Sequence, residues 1–154
     1  MSCAPFVQTP VEVAKRMIQL ADLKPGQTLF DLGAGDGRLV ILAAQHTGAS
    51  AVGVEIRDDL VERARSEIKR LSLEDRVKMI HGDLFNVDLS EADVVTLYLT
   101  TSGNERLRPK LEHELKKGAK VISHDFKVGN WKASIVYNEL LGHTIYTYQI
   151  GEQV

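Results

Sequence analysis

Thr28-Leu29-Phe30-Asp31-Leu32-Gly33-Ala34-Gly35-Asp36-Gly37-Arg38 runs from a strand through three glycines into a helix, and the rest of the chain is arranged around that transition. Thr28 to Leu32 is short and apolar apart from Asp31, the composition of a central parallel strand buried on both faces. Gly33 and Gly35 carry no Cβ and tolerate positive φ, so backbone N–H groups can approach a ligand just before the helix begins. The spacing is G-x-G-x-G, not the G-x-G-x-x-G that seats a pyrophosphate on a helix N-terminus. Asp36 adds negative charge at the same entrance, where it would repel a diphosphate. A nucleoside whose tail carries an amino group and a positive sulfonium suits the stretch better.

The 154 residues, 44% of them hydrophobic, suffice for a single domain over 1–154 with a sizeable core. A formal net charge of -2, with the two signs interspersed, gives no global electrostatic footprint for nucleic acid or an anionic membrane. Cys3 is the only cysteine, which excludes an intramolecular disulfide and a cysteine-cluster metal site and makes a reducing, cytoplasmic compartment the expectation. No run is apolar and long enough to span a bilayer, and Met1 to Pro10 lacks the basic start and apolar core of a signal peptide.

Outward from the glycines, Thr9-Pro10-Val11-Glu12 reads as a capping box opening a helix from about Pro10 to Leu23. Residues 1–9 then form an arm that can fold as a lid over a ligand. Leu39 to Ala44 is a helix apolar over most of its surface, stopped by Gly48. Ala51 to Glu55 is the second strand, and Glu55 lies 22 positions beyond Gly33. That is close to the interval of roughly 20 at which nucleoside-binding α/β folds place a carboxylate on the ribose hydroxyls. Asp58 caps a third helix with Arg63, Arg65, Lys69 and Arg70 on its outer face, most simply a solvated surface. Val77 to His81 is a strand followed by Gly82-Asp83-Leu84-Phe85, where Asp83 is placed for an adenine amino group. Ala92 to Leu99 delivers Tyr98 to the same edge. A polar turn over Thr100 to Asn104 and a helix opened by Pro109 come next, then the strand Lys120 to His124, with Asp125-Phe126 at its mouth. Ser134 to Glu139 and Thr144 to Ile150 form an antiparallel hairpin. Strands alternating with helices predict an α/β fold with a mostly parallel sheet. About eight residues between the fifth and sixth strands are too few for a usual crossover, so that helix is reduced or absent.

These residues resemble a class I S-adenosylmethionine-dependent methyltransferase with a Rossmann-like seven-strand sheet: Asp31-Leu32-Gly33-Ala34-Gly35-Asp36-Gly37 matches the cofactor motif, Glu55 the acidic end of the second strand, and Asp83 the adenine-side acid. Over nearly the whole chain the sequence is similar to small archaeal protein-lysine methyltransferases related to the Dot1-like group and to membrane-anchored mitochondrial lysine methyltransferases. The shared residues include Phe6-Val7-Gln8-Thr9-Pro10, Val52-Gly53-Val54-Glu55-Ile56, Asn104-Glu105, Ser123-His124-Asp125-Phe126 and Gly129-Asn130-Trp131. The resemblance implies S-adenosylmethionine as cofactor, S-adenosylhomocysteine as product, and a cofactor site drawn from Phe6, Thr9, Asp31, Gly33, Ala34, Gly35, Glu55, Ile56, Asp83, Leu84 and Tyr98. No counterpart of the mitochondrial anchor precedes Phe6, so a soluble protein with no membrane partner is implied. The polar Thr100-Thr101-Ser102-Gly103 after Tyr98 departs from the bulkier apolar residues expected there.

Methyl transfer from a sulfonium chiefly needs nucleophile and methyl held in near-attack geometry. A lysine acceptor, with a free pKa of about 10.4, must also lose its proton, which apolar and aromatic walls favour by desolvation. Tyr98, Phe126 and Trp131 are the wall candidates; Tyr98 can also hydrogen-bond the amine, and Asp125 can accept a proton through water. A cysteine nucleophile is ill served by Cys3, and the Asn/Asp-Pro-Pro-aromatic element of many amino and amide methyltransferases is absent after the fourth strand. The five histidines fall in separate elements without metal-ligand spacing, so no metal is expected. Protein substrates with exposed lysines and broad specificity lead, and nucleic acid is not favoured. An RNA or small-molecule methyltransferase, a non-catalytic cofactor-binding subunit and a nicotinamide-dependent dehydrogenase remain the alternatives.

Overall fold

The structure, a computed structural model, describes residues 8–154. Seven strands form one sheet in the order β3-β2-β1-β4-β5-β7-β6. They are β1 (Thr28–Leu32), β2 (Ser50–Glu55), β3 (Val77–His81), β4 (Val94–Leu97), β5 (Lys120–His124), β6 (Ile135–Leu140) and β7 (His143–Gln149). The first five are parallel, and β7 runs antiparallel between β5 and β6. Four helices accompany them: α1 (Val11–Ala21), α2 (Arg38–His46), α3 (Asp58–Arg70) and α4 (Thr101–Glu114). Among the described residues no helix lies between β5 and β6, as the short connection predicts.

The period of two along the strands sorts the core onto the two faces of the sheet. Leu29, Ala51, Val77, Val94 and Ile122 pack under α1, α2 and α3. Phe30, Leu32, Val54, Val95 and Val121 pack against Leu107 and Leu111 of α4 and against Trp131. Parallel strands buried on both faces leave their C-terminal ends as the open edge, where α/β sheets bind ligands.

Four local expectations are corrected. The capping box at Thr9 does not form: Pro10 flanks α1 with no side-chain cap, and the Thr9 carbonyl instead accepts a hydrogen bond from Arg38 at 3.2 Å. Asp58 is the first helical residue of α3, flanked by Arg57 without a side-chain cap. The stretch Thr100 to Asn104 is not a turn, and Pro109 does not open a helix. Thr100 caps α4, its Oγ1 accepting the Gly103 N–H at 3.0 Å, and Pro109 lies inside the helix. The N–H that Pro109 lacks would have served the carbonyl of Glu105. Glu105 is exposed, so water can take that place. Among the described residues no helix is long and apolar enough to cross a membrane.

Candidate active site

Each parallel strand delivers one polar group to the open edge. Asp31 stands one residue before the end of β1, Glu55 ends β2, Asp83 follows β3, Tyr98 follows β4 directly, and His124 ends β5. The edge expected to collect Asp31, Glu55, Asp83 and Tyr98 does collect them.

Asp31 is buried, and Thr96 Oγ1 donates to its Oδ1 at 2.8 Å. Burial pushes its carboxyl up to about 7; the Thr96 bond opposes the shift and the nearby Glu55 charge adds to it. Glu55 is buried too. Its Oε1 accepts the Gly35 N–H at 2.8 Å and its Oε2 the Arg57 N–H at 3.0 Å, so it clamps the glycine loop to the start of α3. Each oxygen keeps a further lone pair for a ligand hydroxyl. Asp83 is half-buried, its Oδ1 holding the Phe85 N–H at 2.9 Å. Ile56 is half-buried and Leu84 buried beside these acids.

The glycine loop has few free backbone donors to offer an anion. The N–H groups of Gly33 and Ala34 both donate to the Val54 carbonyl at 2.9 Å, and Gly35 donates to Glu55. Three donors that a phosphate would need are therefore committed. Asp36 does not act as a free negative charge either, because Arg38 pairs with it at 3.3 Å. The loop still excludes a diphosphate, but through spent donors. Gly33 has φ +81 and is exposed; a Cβ there would come within 3.3 Å of Leu99 Cδ2. Bare backbone at this point leaves room for a ligand to lie against the chain.

Gln8 Nε2 reaches Asp36 Oδ2 at 3.3 Å, and Arg38 holds the Thr9 carbonyl, so the start of α1 is tied to the glycine loop. Phe6 lies outside the described residues.

Tyr98, His124 and Phe126 form an aromatic group beyond β4 and β5. The Tyr98 ring lies 3.9 Å from His124 and 6.5 Å from Phe126, centroid to centroid. Tyr98 and Phe126 are half-buried. Burial, and then the charge of Asp125, push the Tyr98 phenol above its ordinary value, so it stays protonated. Trp131 is not brought to this group. Its ring packs edge-on against Tyr148, and its N–H donates to Glu112 Oε2 at 2.9 Å.

Asp125 is not a free proton acceptor. Its Oδ1 takes the Thr144 N–H at 3.0 Å, and its Oδ2 lies 3.4 Å from nitrogens of both His124 and His143. The expectation that the histidines are scattered fails in space for this pair: His124 Nε2 and His143 Nδ1 are 2.8 Å apart. Burial pushes His124 down to about 4, with Asp125 opposing and His143 adding, which keeps the ring neutral. Sequence reasoning also passed over the work of Asn104. It is buried, and its Nδ2 lies within hydrogen-bond reach of Ser123 Oγ and the carbonyls of Phe126 and Lys127, at 3.0–3.1 Å. It thereby ties the first turn of α4 to the mouth of β5. The only sequence signal for it was its place in the motifs shared with lysine methyltransferases.

An edge with two buried carboxylates, a glycine loop short of free donors and a bare backbone at Gly33 fits a ligand that combines a nucleoside with cationic groups. The comparisons agree. The model of the ANTKMT methyltransferase domain family matches residues 31–135. A protein-lysine N-methyltransferase of Saccharolobus islandicus (strain REY15A) is 42% identical over 152 residues, covering 96% of this chain and 94% of that protein. The adenine nucleotide translocase lysine N-methyltransferase of Mus musculus is 33% identical over 135 residues; the match covers 88% of this chain but 58% of the mouse protein. Among solved structures, an RNA methyltransferase from Salinibacter ruber in complex with S-adenosyl-L-homocysteine superposes with a TM-score of 0.92 at 47% identity, covering 96% of both chains. The chain belongs to the ANTKMT methyltransferase domain family and is an S-adenosylmethionine-dependent methyltransferase.

Proposed function

We propose that this protein methylates the ε-amino group of lysines on several protein substrates, in a reducing cytoplasm, and releases S-adenosylhomocysteine. In this reading Asp31 takes the cofactor's ammonium, Glu55 its ribose hydroxyls and Asp83 its adenine amino group. Gly33, Ala34, Gly35, Ile56 and Leu84 line the cradle, and the arm before Thr9, including Phe6, closes over it. Bound there, S-adenosylmethionine supplies an electrophilic methyl group on a good leaving group. The chain's own task is to present a neutral amine in line with that methyl and to keep water out.

The observation that carries the reading is the half-buried pair Tyr98 and Phe126 beyond β4 and β5. Aromatic walls desolvate an incoming ammonium and so favour its loss of a proton. The protonated Tyr98 hydroxyl can orient the amine while a ring face attracts positive charge. The archaeal relative's lysine activity supports the same acceptor. A site framed by one sheet edge and two rings reads the lysine and little of its surroundings, which supports breadth.

The second reading is methylation of RNA, favoured by the name of the Salinibacter ruber relative. The basic face of α3, which could guide RNA, is partly neutralised: Arg65 pairs with Glu62 at 3.4 Å and Arg70 pairs with Glu67. Incubation with methyl-labelled cofactor and a mixed cell lysate separates the two. We expect label on several proteins, recovered as methyl-lysine after hydrolysis. Label that ribonuclease removes and protease leaves would reject lysine as the acceptor.

Tyr98→Phe is expected to lower kcat on a lysine substrate by about 10- to 100-fold, the value of one hydrogen bond to a charged or reacting group. Cofactor affinity, measured by calorimetry, should stay within about twofold. Unchanged turnover would remove the hydroxyl from the mechanism and leave only the ring.

A further inference from the structure

Beyond methyl transfer, we propose that His124, Asp125 and His143 form a binding site for a single divalent transition-metal ion of the zinc class. His124 Nε2, His143 Nδ1 and Asp125 Oδ2 are separated by 2.8, 3.4 and 3.4 Å. Zinc bonds of about 2.0–2.1 Å in a tetrahedral array place ligand atoms about 3.3 Å apart. Two of the three separations already match. The short one widens to that distance with a small movement of His143, which is 28% exposed in its side chain and begins β7 beside the hairpin turn.

The donor set suits such an ion, since imidazole nitrogen with a carboxylate oxygen is ligation typical of zinc, iron, copper and nickel. The three atoms also lack enough protons to satisfy one another. If His124 Nε2–H fills the 2.8 Å contact with His143 Nδ1, that nitrogen still faces the carboxylate, lone pair to lone pair, at 3.4 Å. One cation in the centre resolves this. The ligands are also positioned in advance: His124 is fully buried, and Asp125 exchanges backbone and side-chain hydrogen bonds with Thr144, next to His143.

The site has a built-in limit. His124 Nδ1 has no hydrogen-bond partner among the described residues, so this ligand lacks the second-shell acceptor that metal-bound histidines normally have. Loss of such a partner typically weakens a site by about 10- to 100-fold. Micromolar affinity is therefore expected. Three protein ligands leave a coordination position open. The ion would pin the start of β7 to the end of β5, behind the Tyr98 ring.

The test uses the full chain after chelator treatment, in a Cys3→Ser background that removes the only thiol. Cobalt(II) titration should give the intense visible bands of a four-coordinate ion at one equivalent per chain, and zinc calorimetry a micromolar Kd with a rise in Tm. His143→Ala and Asp125→Asn should each weaken binding at least about tenfold, while His46→Ala leaves it unchanged. Asn is chosen because Asp125 sits at φ +67, a conformation that Asn tolerates. No heat and no bands at about 1 mM metal, far above the affinities of biological zinc sites, would overturn the proposal. Binding that survives both substitutions would overturn it as well.

Discussion

At pH 8 the Asp31→Asn protein is expected to melt higher than its parent in the absence of ligand and to lose S-adenosylmethionine binding by about 100-fold, the upper end of the scale of a buried charge-assisted hydrogen bond. The sign follows from the burial of Asp31, whose carboxyl is pushed from 3.8 up to about 7. A raised carboxyl means that the folded protein holds its proton where the unfolded chain has released it. This contribution to stability is complete below about pH 4 and is lost as pH rises towards 7. Three pH units at about 1.4 kcal/mol each give a ceiling of about 4 kcal/mol at pH 8. Asn keeps an oxygen for the Thr96 hydroxyl but buries an amide N–H, which returns about 1–3 kcal/mol. A net gain of at most about 1–3 kcal/mol, or several degrees in Tm, remains. At pH 5 the gain should vanish, because only about 1.5–2 kcal/mol of that cost has accrued by then and the buried amide of Asn offsets it. Scanning calorimetry at the two pH values, with titration calorimetry for the cofactor, measures all three quantities. A lower Tm at pH 8 with intact binding would make Asp31 a structural acid.

That trade of stability for binding also shows which parts of the site were legible in the sequence. The apolar run ending in Asp31 and the 22-residue step from Gly33 to Glu55 are local signals, and the structure realises both at one sheet edge. Partners set by tertiary pairing were not legible. Val54, a strand away, consumes the donors of Gly33 and Ala34. His124 meets His143 only because β7 pairs antiparallel with β5, in a register that sets His124 opposite Ile145. The α4 boundary failed for a different reason. Pro109 is a strong helix-start signal, yet the cap at Thr100 and the anchor at Asn104 place the helix earlier, and the proline falls where the lost hydrogen bond lies on an exposed turn.

Glu55→Ala is expected to be the most damaging single change to cofactor affinity, because this side chain both holds the loop and faces the ligand edge. It removes the acceptors of the Gly35 and Arg57 N–H groups, at 2.8 and 3.0 Å, along with the proposed ribose partner. Two charge-assisted bonds at about 1.5–3 kcal/mol each predict a stability loss of about 3–6 kcal/mol and no measurable cofactor binding. Such a loss confounds the two roles, so Glu55→Gln separates them. Gln keeps the length and one acceptor oxygen, but its amide turns a donor towards the other N–H. Comparing S-adenosylhomocysteine with its 2′-deoxy analogue on parent and variant forms a double-mutant cycle. If Glu55 binds the ribose, deleting the hydroxyl should weaken binding to the parent by about tenfold or more and change binding to the variant much less. Equal losses on both proteins would leave Glu55 as a brace for the glycine loop alone, and the acid of β2 would then contribute to catalysis only by shaping the backbone against which the cofactor lies.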